Sequence, residues 1–289
     1  IILLIDLNYF LIKRRNKMLR KFSRAMKALA VFTAMLMAFS TAQARTLDEI
    51  ISDGTVRIGV HPNIPPLSFR DQDGNWQGWD IEMGKLLADK IGAEVEFVPV
   101  EWKARIPSLI SDQIDFSMAA LTRNSSRAKV IDFTVPIHTE NLAVLTTDKV
   151  GKISSWKDLD KKGLTMVGCR GCFPVNWMKT NMPNVEVLIV DSGSDMVRTI
   201  AQGRADGMVA NLEWHKRFTE NFKDVNWVII DDVIRTSYCA IGVAKDNSSL
   251  RDFLNIALYE IQIAGKHNEI WESFWGMPPL VKIEADPYF

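Results

Sequence analysis

The sequence is poor in the residues that would build a metal centre. Its four histidines are scattered, and its three cysteines, Cys169, Cys172 and Cys239, include no second pair, which argues against structural zinc. Cys169-Arg-Gly-Cys172 has the spacing of a redox motif, but it falls in a strand-to-loop step rather than at the start of a clear helix. That placement speaks against a thioredoxin-like centre. A structural disulfide within the pair stays open, and it would leave Cys239 over. An excess of positive charge is also missing: 35 basic residues balance 35 acidic ones. Residues 1–44 hold eight basic and one acidic, so without them 27 basic residues face 34 acidic, a net of −7. This balance argues against nucleic acid or an acidic membrane surface as partner. Beyond residue 44 no hydrophobic run reaches the ~20 residues of a membrane span.

The one marked apolar run lies near the start. Ala28-Leu-Ala-Val-Phe-Thr-Ala-Met-Leu-Met-Ala-Phe39 follows Arg20, Lys21, Arg24 and Lys27 and precedes Ala42-Gln43-Ala44. A basic stretch, a short apolar run and a small-x-small site are the parts of a secretory signal peptide, with cleavage expected after Ala44. The run is too short to serve as an anchor. Met18 or Met26 is the expected start, and residues 1–17 read as upstream extension. The remaining chain, 45–289, suffices for two modest lobes and is expected to be soluble and exported.

Taken in order, Thr46-Leu-Asp-Glu49 is a capping-box pattern opening a helix that stops at Gly54. Thr55-Val-Arg-Ile-Gly-Val60 alternates as a strand, and a proline-rich loop, His61 to Leu67, follows. Asp80 is expected to cap a helix ending at Gly92, and 94–100 alternates as a second strand. A helix is predicted over 107–112 and a strand over 114–119. Strand, helix, strand, helix, strand argues for a parallel sheet with covering helices. The run 141–147 is extended without a helix of its own. Alternation then restarts, with strands at 164–168, 185–190 and 205–210 and helices at 174–179 and 194–202. Two further strands, 226–231 and 236–243, precede amphipathic helices at 249–263 and 267–275, where Trp271, Phe274 and Trp275 read as core. Segments 111–119 and 201–209 echo each other at an offset of 91 residues when Asp115 is laid on Asp206, which suggests two similarly built lobes.

The richest stretch is Ser117-Met-Ala-Ala-Leu-Thr-Arg-Asn-Ser-Ser-Arg127. Small residues admit a ligand to the backbone, hydroxyls and a helix start donate hydrogen bonds, and a guanidinium fork fits a carboxylate. Together they read as an anion seat.

Several ordered pieces carry a family resemblance: Arg57-Ile-Gly-Val60 with the proline-rich loop, Gly78-Trp-Asp-Ile81, Arg105-Ile-Pro-Ser-Leu109 with Ile114-Asp115, Thr122 to Arg127 with Asp132-Phe-Thr-Val-Pro136, Gly203-Arg-Ala-Asp206 and a final Trp-Gly. In this order the chain, over about 46–276, resembles the periplasmic binding proteins for polar amino acids that serve ABC importers. The resemblance implies a type II periplasmic binding fold: two α/β lobes, each a mainly parallel sheet with flanking helices, joined by two hinge strands, with the ligand in the cleft. Lobe one is expected to comprise 45–140 and 236–289, and lobe two 141–235. The implied protein is a non-catalytic monomer without cofactor or metal that delivers an amino acid or close derivative to a membrane permease. By the same resemblance the ligand's α-carboxylate falls to Arg127, Thr122 and the Ala120 backbone, with Gly171-Cys172 touching it from lobe two. Trp102 would face the ligand's body, and His61, Ile64 and Leu67 would contribute from the first loop.

Two positions depart from the family pattern. Asn211 stands where an Asp usually pairs with the ligand's ammonium, so the counter-charge is missing there unless another acid supplies it. Cys172 replaces the usual Thr, which removes a hydroxyl but keeps a backbone N–H. The same fold also serves exported cyclohexadienyl dehydratases acting on prephenate or arogenate. That chemistry needs a general acid, and the sequence displays none in the seat.

Overall fold

The fold starts where the capping box is. The computed structural model describes residues 44–219 and 221–287; the proposed signal peptide, apart from Ala44, lies outside them. Thr46 Oγ1 accepts from Glu49 N at 3.3 Å and Glu49 Oε2 accepts from Thr46 N at 2.7 Å, which opens helix α1 (Leu47–Asp53). Gly54, at φ +69°, closes it in the left-handed conformation that glycine adopts without strain. Strand β1 (Thr55–Val60) leads into the proline-rich loop, which together with its sequel forms a separate three-stranded sheet of β2 (Asn63–Ile64), β3 (Ser68–Arg70) and β4 (Trp76–Gln77).

Asp80 does not cap the next helix. Helix α2 (Trp79–Ile91) begins one residue before it, with Gly78 as N-cap. Its first amides are taken by the loop instead, Trp79 N donating to Pro66 O at 2.9 Å and Asp80 N to Leu67 O at 2.8 Å. Gly78 sits so close to the Leu67 carbonyl that a Cβ there would collide with it. The Asp80 side chain is buried, and burial pushes its carboxyl well above the usual range.

The chain continues through β5 (Glu94–Pro99), α3 (Arg105–Ile110), β6 (Phe116–Ser117), α4 (Ser125–Ala128) and β7 (Ile131–Thr147). It then builds β8 (Thr165–Cys169), α5 (Phe173–Asn181), β9 (Glu186–Val190), α6 (Gly193–Ala201), β10 (Gly207–Asn211) and α7 (Leu212–Thr219). Strand β11 (Trp227–Ala244) and helices α8 (Ser248–Ile263) and α9 (Lys266–Trp275) complete it. The main sheet runs β5-β1-β6-β11-β7-β10-β8-β9. Strand β1 is parallel to β5 and β6, and β8 is parallel to β9 and β10. Between these two parallel groups lie β7 and β11, antiparallel to each other. They are the two crossings that join the lobes.

The crossings differ from expectation in extent. Strand β7 spans 17 residues and already begins at Ile131, whereas the extended run was expected from 141. The two strands expected at 226–231 and 236–243 are one strand of 18 residues with a register break between Ile230 and Arg235. The strand expected over 114–119 shrinks to two residues, because Ala120 turns the chain at φ +46°. Helix α3 starts two residues earlier than read, so Pro107 falls in its first turn, where no intrahelical N–H is lost.

Each lobe has its own core. The first gathers Ile58, Trp79, Leu87, Phe116, Leu254 and Trp271, all fully or almost fully buried. Trp271 stacks on Trp275 at 3.8 Å, as its reading as core anticipates. The second lobe divides its apolar residues over the two sheet faces, Leu145, Val167, Ile200 and Met208 on one and Leu142, Val144, Met166 and Met178 on the other. Burying side chains of this size stabilises by roughly 1.5–3 kcal/mol each. Among the described residues no helix is long and apolar enough to cross a membrane.

Candidate functional site

Between the two cores lies a cavity of about 430 Å³, of a size for a small solute. Its first-lobe wall is organised by Arg105, at the start of α3. The guanidinium is buried, and it donates from Nε to Trp102 O (3.0 Å), from Nη1 to Ala119 O (2.8 Å) and Ala120 O (2.7 Å), and from Nη2 to Gly171 O (3.4 Å). Those bonds hold the turn at Ala120, whose positive φ is strained for a residue with a Cβ. Burial, reinforced by the nearby Arg127, lowers the Arg105 pKa to about 9, so it remains charged at neutral pH. The Trp102 ring lies 4.9 Å from the Arg105 guanidinium and 4.1 Å from the His61 ring.

Glu140, from the middle of β7, faces the same cavity. It is buried, its Oε2 accepts from Thr122 Oγ1 at 3.2 Å, and the Cys239 thiol adjoins the pair, 3.8 Å from the Thr122 hydroxyl. Burial raises its carboxyl pKa, against the opposing pull of Arg105.

The second-lobe wall is built mostly of neutral groups. Cys169 and Cys172 both line it and are joined in a disulfide, while Cys239 is a free, buried thiol. Cys172 is also the N-cap of α5, so the motif does sit at a helix start, contrary to the sequence reading. Its backbone N–H donates to Cys169 O at 3.1 Å. Asn211, at the end of β10, reaches the wall with its carboxamide already engaged. Its Oδ1 accepts from Asn141 N at 3.1 Å, and its Nδ2 donates to Glu213 Oε2 at 3.1 Å. Glu213 stands behind it, outside the wall, with its pKa raised by burial.

Of the residues singled out in the sequence, Ile64, Trp102, Ala120, Thr122, Cys172 and Asn211 meet in this wall. His61 lies one layer out, beneath Trp102, where burial and Arg105 lower its pKa to about 4 and keep it neutral. Leu67 is fully buried in the first core. Arg127 stands outside the wall, donating from Nη1 to Thr122 O at 2.7 Å and from Nη2 to Gly171 O at 3.2 Å. Gly171 enters through that carbonyl, which receives guanidinium contacts from both Arg127 and Arg105 across the lobes. Arg105 and Glu140 went unassigned in the sequence reading. The available signal for Glu140 was a lone acid inside a strand segment, 137–147, that is otherwise apolar or uncharged. Among the described residues no cluster of His, Cys, Asp or Glu could hold a metal ion.

Comparison with known proteins agrees with this architecture. The sequence profile of the bacterial extracellular solute-binding proteins, family 3, matches residues 56–277. A cyclohexadienyl dehydratase of Pseudomonas aeruginosa is 24% identical over 193 residues, covering 66% of this chain and 72% of that protein. An L-cystine-binding protein of Escherichia coli K12 is 25% identical over 242 residues, covering 82% of this chain and 88% of the relative. Among solved structures, an ancestral amino acid-binding protein described as a precursor of cyclohexadienyl dehydratase superposes with a TM-score of 0.73 at 28% identity, over 79% of this chain and 98% of its own. With two lobes, two crossing strands, a cavity between them and a profile match over most of its length, the chain belongs to the bacterial extracellular solute-binding proteins, family 3.

Proposed function

We propose that this protein captures a small carboxylate-bearing solute, an amino acid or close derivative, by closing its lobes over it, and delivers it to the membrane permease of an ABC importer without catalysing a reaction. The observation that carries this reading is the convergence of two guanidiniums beside a solute-sized cavity. Arg127 commits two of its five N–H groups, to Thr122 O and Gly171 O, and Arg105 commits four. Arg127 is thus the freer donor for a carboxylate, and Arg105 is the scaffold beneath it. The shared Gly171 carbonyl supports a role in closure, since it belongs to the opposite lobe. In this reading 45–140 with 236–289 and 141–235 are the lobes, residues 1–44 direct export to the periplasm, and the working form is a monomer. A thermal-shift screen over the proteinogenic L-amino acids, L-cystine and their hydroxy-acid, keto-acid and N-modified relatives, followed by calorimetry, tests it. No stabilisation by any of them would sink it.

One observation favours a second reading. Glu140 is a buried carboxyl with a raised pKa in the cavity wall, which is what a general acid requires and what the sequence did not display. A dehydratase on this fold needs a general acid in the cleft, and Glu140 would fill that role here. Purified protein converting prephenate to phenylpyruvate would establish that reading over transport.

A further inference from the structure

We propose that Glu140 is the counter-charge for the ammonium group of the bound solute, so that the site selects zwitterions and holds both of their charged ends on the first lobe. This rests on the solute-receptor reading above. Glu140 lines the cavity and is buried, yet among the described residues its carboxylate forms no ion pair; its hydrogen-bond partners are the Thr122 hydroxyl at 3.2 Å and the neighbouring Cys239 thiol. Cations are close enough to influence it, but they are directed elsewhere: Arg105 at the carbonyls of Trp102, Ala119, Ala120 and Gly171, and Arg127 at those of Thr122 and Gly171.

Where this fold uses a buried carboxylate structurally in a strand-end position, it clamps it. Asp115 is buried and receives Arg57 Nη2 at 2.7 Å, Arg57 N at 2.6 Å and Arg45 Nε at 3.0 Å. Asp80, another buried acid without an ion pair, lies outside the cavity wall. Among the described residues Glu140 alone combines a buried carboxylate without an ion pair and a place in that wall. Leaving such a charge uncompensated is costly, and a cation arriving with the ligand offsets the cost.

The opposite wall offers no substitute. Asn211 is neutral and engaged on both its oxygen and its nitrogen, and Glu213 is turned to Asn211 Nδ2 and Leu280 N rather than to the cavity. In this assignment the counter-charge absent at Asn211 comes from the crossing strand β7, from the residue next to Asn141, whose N–H donates to Asn211 Oδ1.

The test compares paired probes. The tightest binder among the proteinogenic L-amino acids and L-cystine is titrated by calorimetry beside its 2-hydroxy-acid counterpart, which keeps the carboxylate and side chain and exchanges ammonium for hydroxyl. Wild-type protein is expected to hold the amino acid at least tenfold tighter. Glu140→Gln, which keeps the shape and the acceptor for Thr122, is expected to weaken the amino acid alone and erase that difference, while Glu140→Asp retains most of it. The assignment is overturned if the wild type holds both probes equally, or if Glu140→Gln leaves both affinities unchanged or lowers both alike. Wild-type binding with an indifferent Glu140→Gln defeats this assignment and leaves the receptor reading standing. Wild-type protein that binds none of the amino acids defeats this inference, and one that binds none of the screened solutes defeats the receptor reading as well.

Discussion

The two walls of the cavity are made of different chemistry. The first-lobe wall holds a buried guanidinium, a buried carboxyl, a hydroxyl and a turn strained at Ala120. The second-lobe wall holds a disulfide, the side chains of Phe173 and Val209 and a carboxamide whose hydrogen bonds are already made. Its cation, Arg198, is largely exposed and lies 3.2 Å from Asp195. Polar groups fixed in place before a ligand arrives give affinity and selectivity at little reorganisation cost. For the proposed receptor role, the difference assigns a division of labour: the first lobe would choose the solute, and the second would shut over it.

That division can be broken most severely at Arg105. Arg105→Ala leaves the carbonyls of Trp102, Ala119 and Ala120 without their buried donor, with Gly171 O keeping Arg127, and is expected to destabilise the protein by about 3 kcal/mol or more in chemical denaturation. A loss well under 1 kcal/mol would show that the first wall does not depend on this scaffold. The second wall yields next. Replacing both Cys169 and Cys172 by Ser opens a short covalent loop, for which chain entropy predicts a loss of roughly 2 kcal/mol. Ligand selectivity should survive, and an altered order of preference among amino acids would contradict the passive role given to this wall. Arg127→Ala should leave the melting temperature nearly unchanged, because the side chain is only part-buried, and should weaken solute binding by about 1.5 kcal/mol, roughly tenfold. Unchanged affinity in calorimetry would remove it from the carboxylate seat.

The smallest effect sharpens the contrast. Asn211→Asp would set a second carboxylate against Glu213 and lose the Nδ2 hydrogen bond, at a cost of about 1 kcal/mol near pH 8. The folded pKa of Glu213 is already raised above its ordinary value of 4.5 by burial. The stability carried by such a group is complete below the unfolded pKa and is lost as pH rises through the folded one. The variant should therefore match the wild type near pH 4 and fall behind as pH increases. A constant difference across pH would mean that the two side chains do not interact.

Local signals read well from the sequence, and long-range ones did not. The capping box at Thr46 and Glu49, the glycine stops at Gly54 and Gly92 and the strand β1 are written within a few residues, and all are present, although β1 alternates in burial only as far as Ile58. Asp80 misled because a good capping residue stood one position inside a helix whose first amides the proline-rich loop had already taken. The break between 231 and 236 suggested two strands because a register slip and a chain break look alike without the partner strand. The motif positions Thr122 and Trp102 reach the cavity wall, whereas Arg127, singled out by the same motif, stands outside it. Glu140 could not be placed by motif, because it belongs to a crossing strand, and only the packing of both lobes around β7 makes its position a wall.

The register break in β11 has a mechanical consequence. Ile230 pairs with Val144 and Arg235 with Leu142, so five steps of one strand run beside two steps of the other. In the proposed receptor this surplus would act as slack in the tether, letting the ladder on either side turn about the break. Opening and shutting the cleft would then not require unravelling the sheet that spans it.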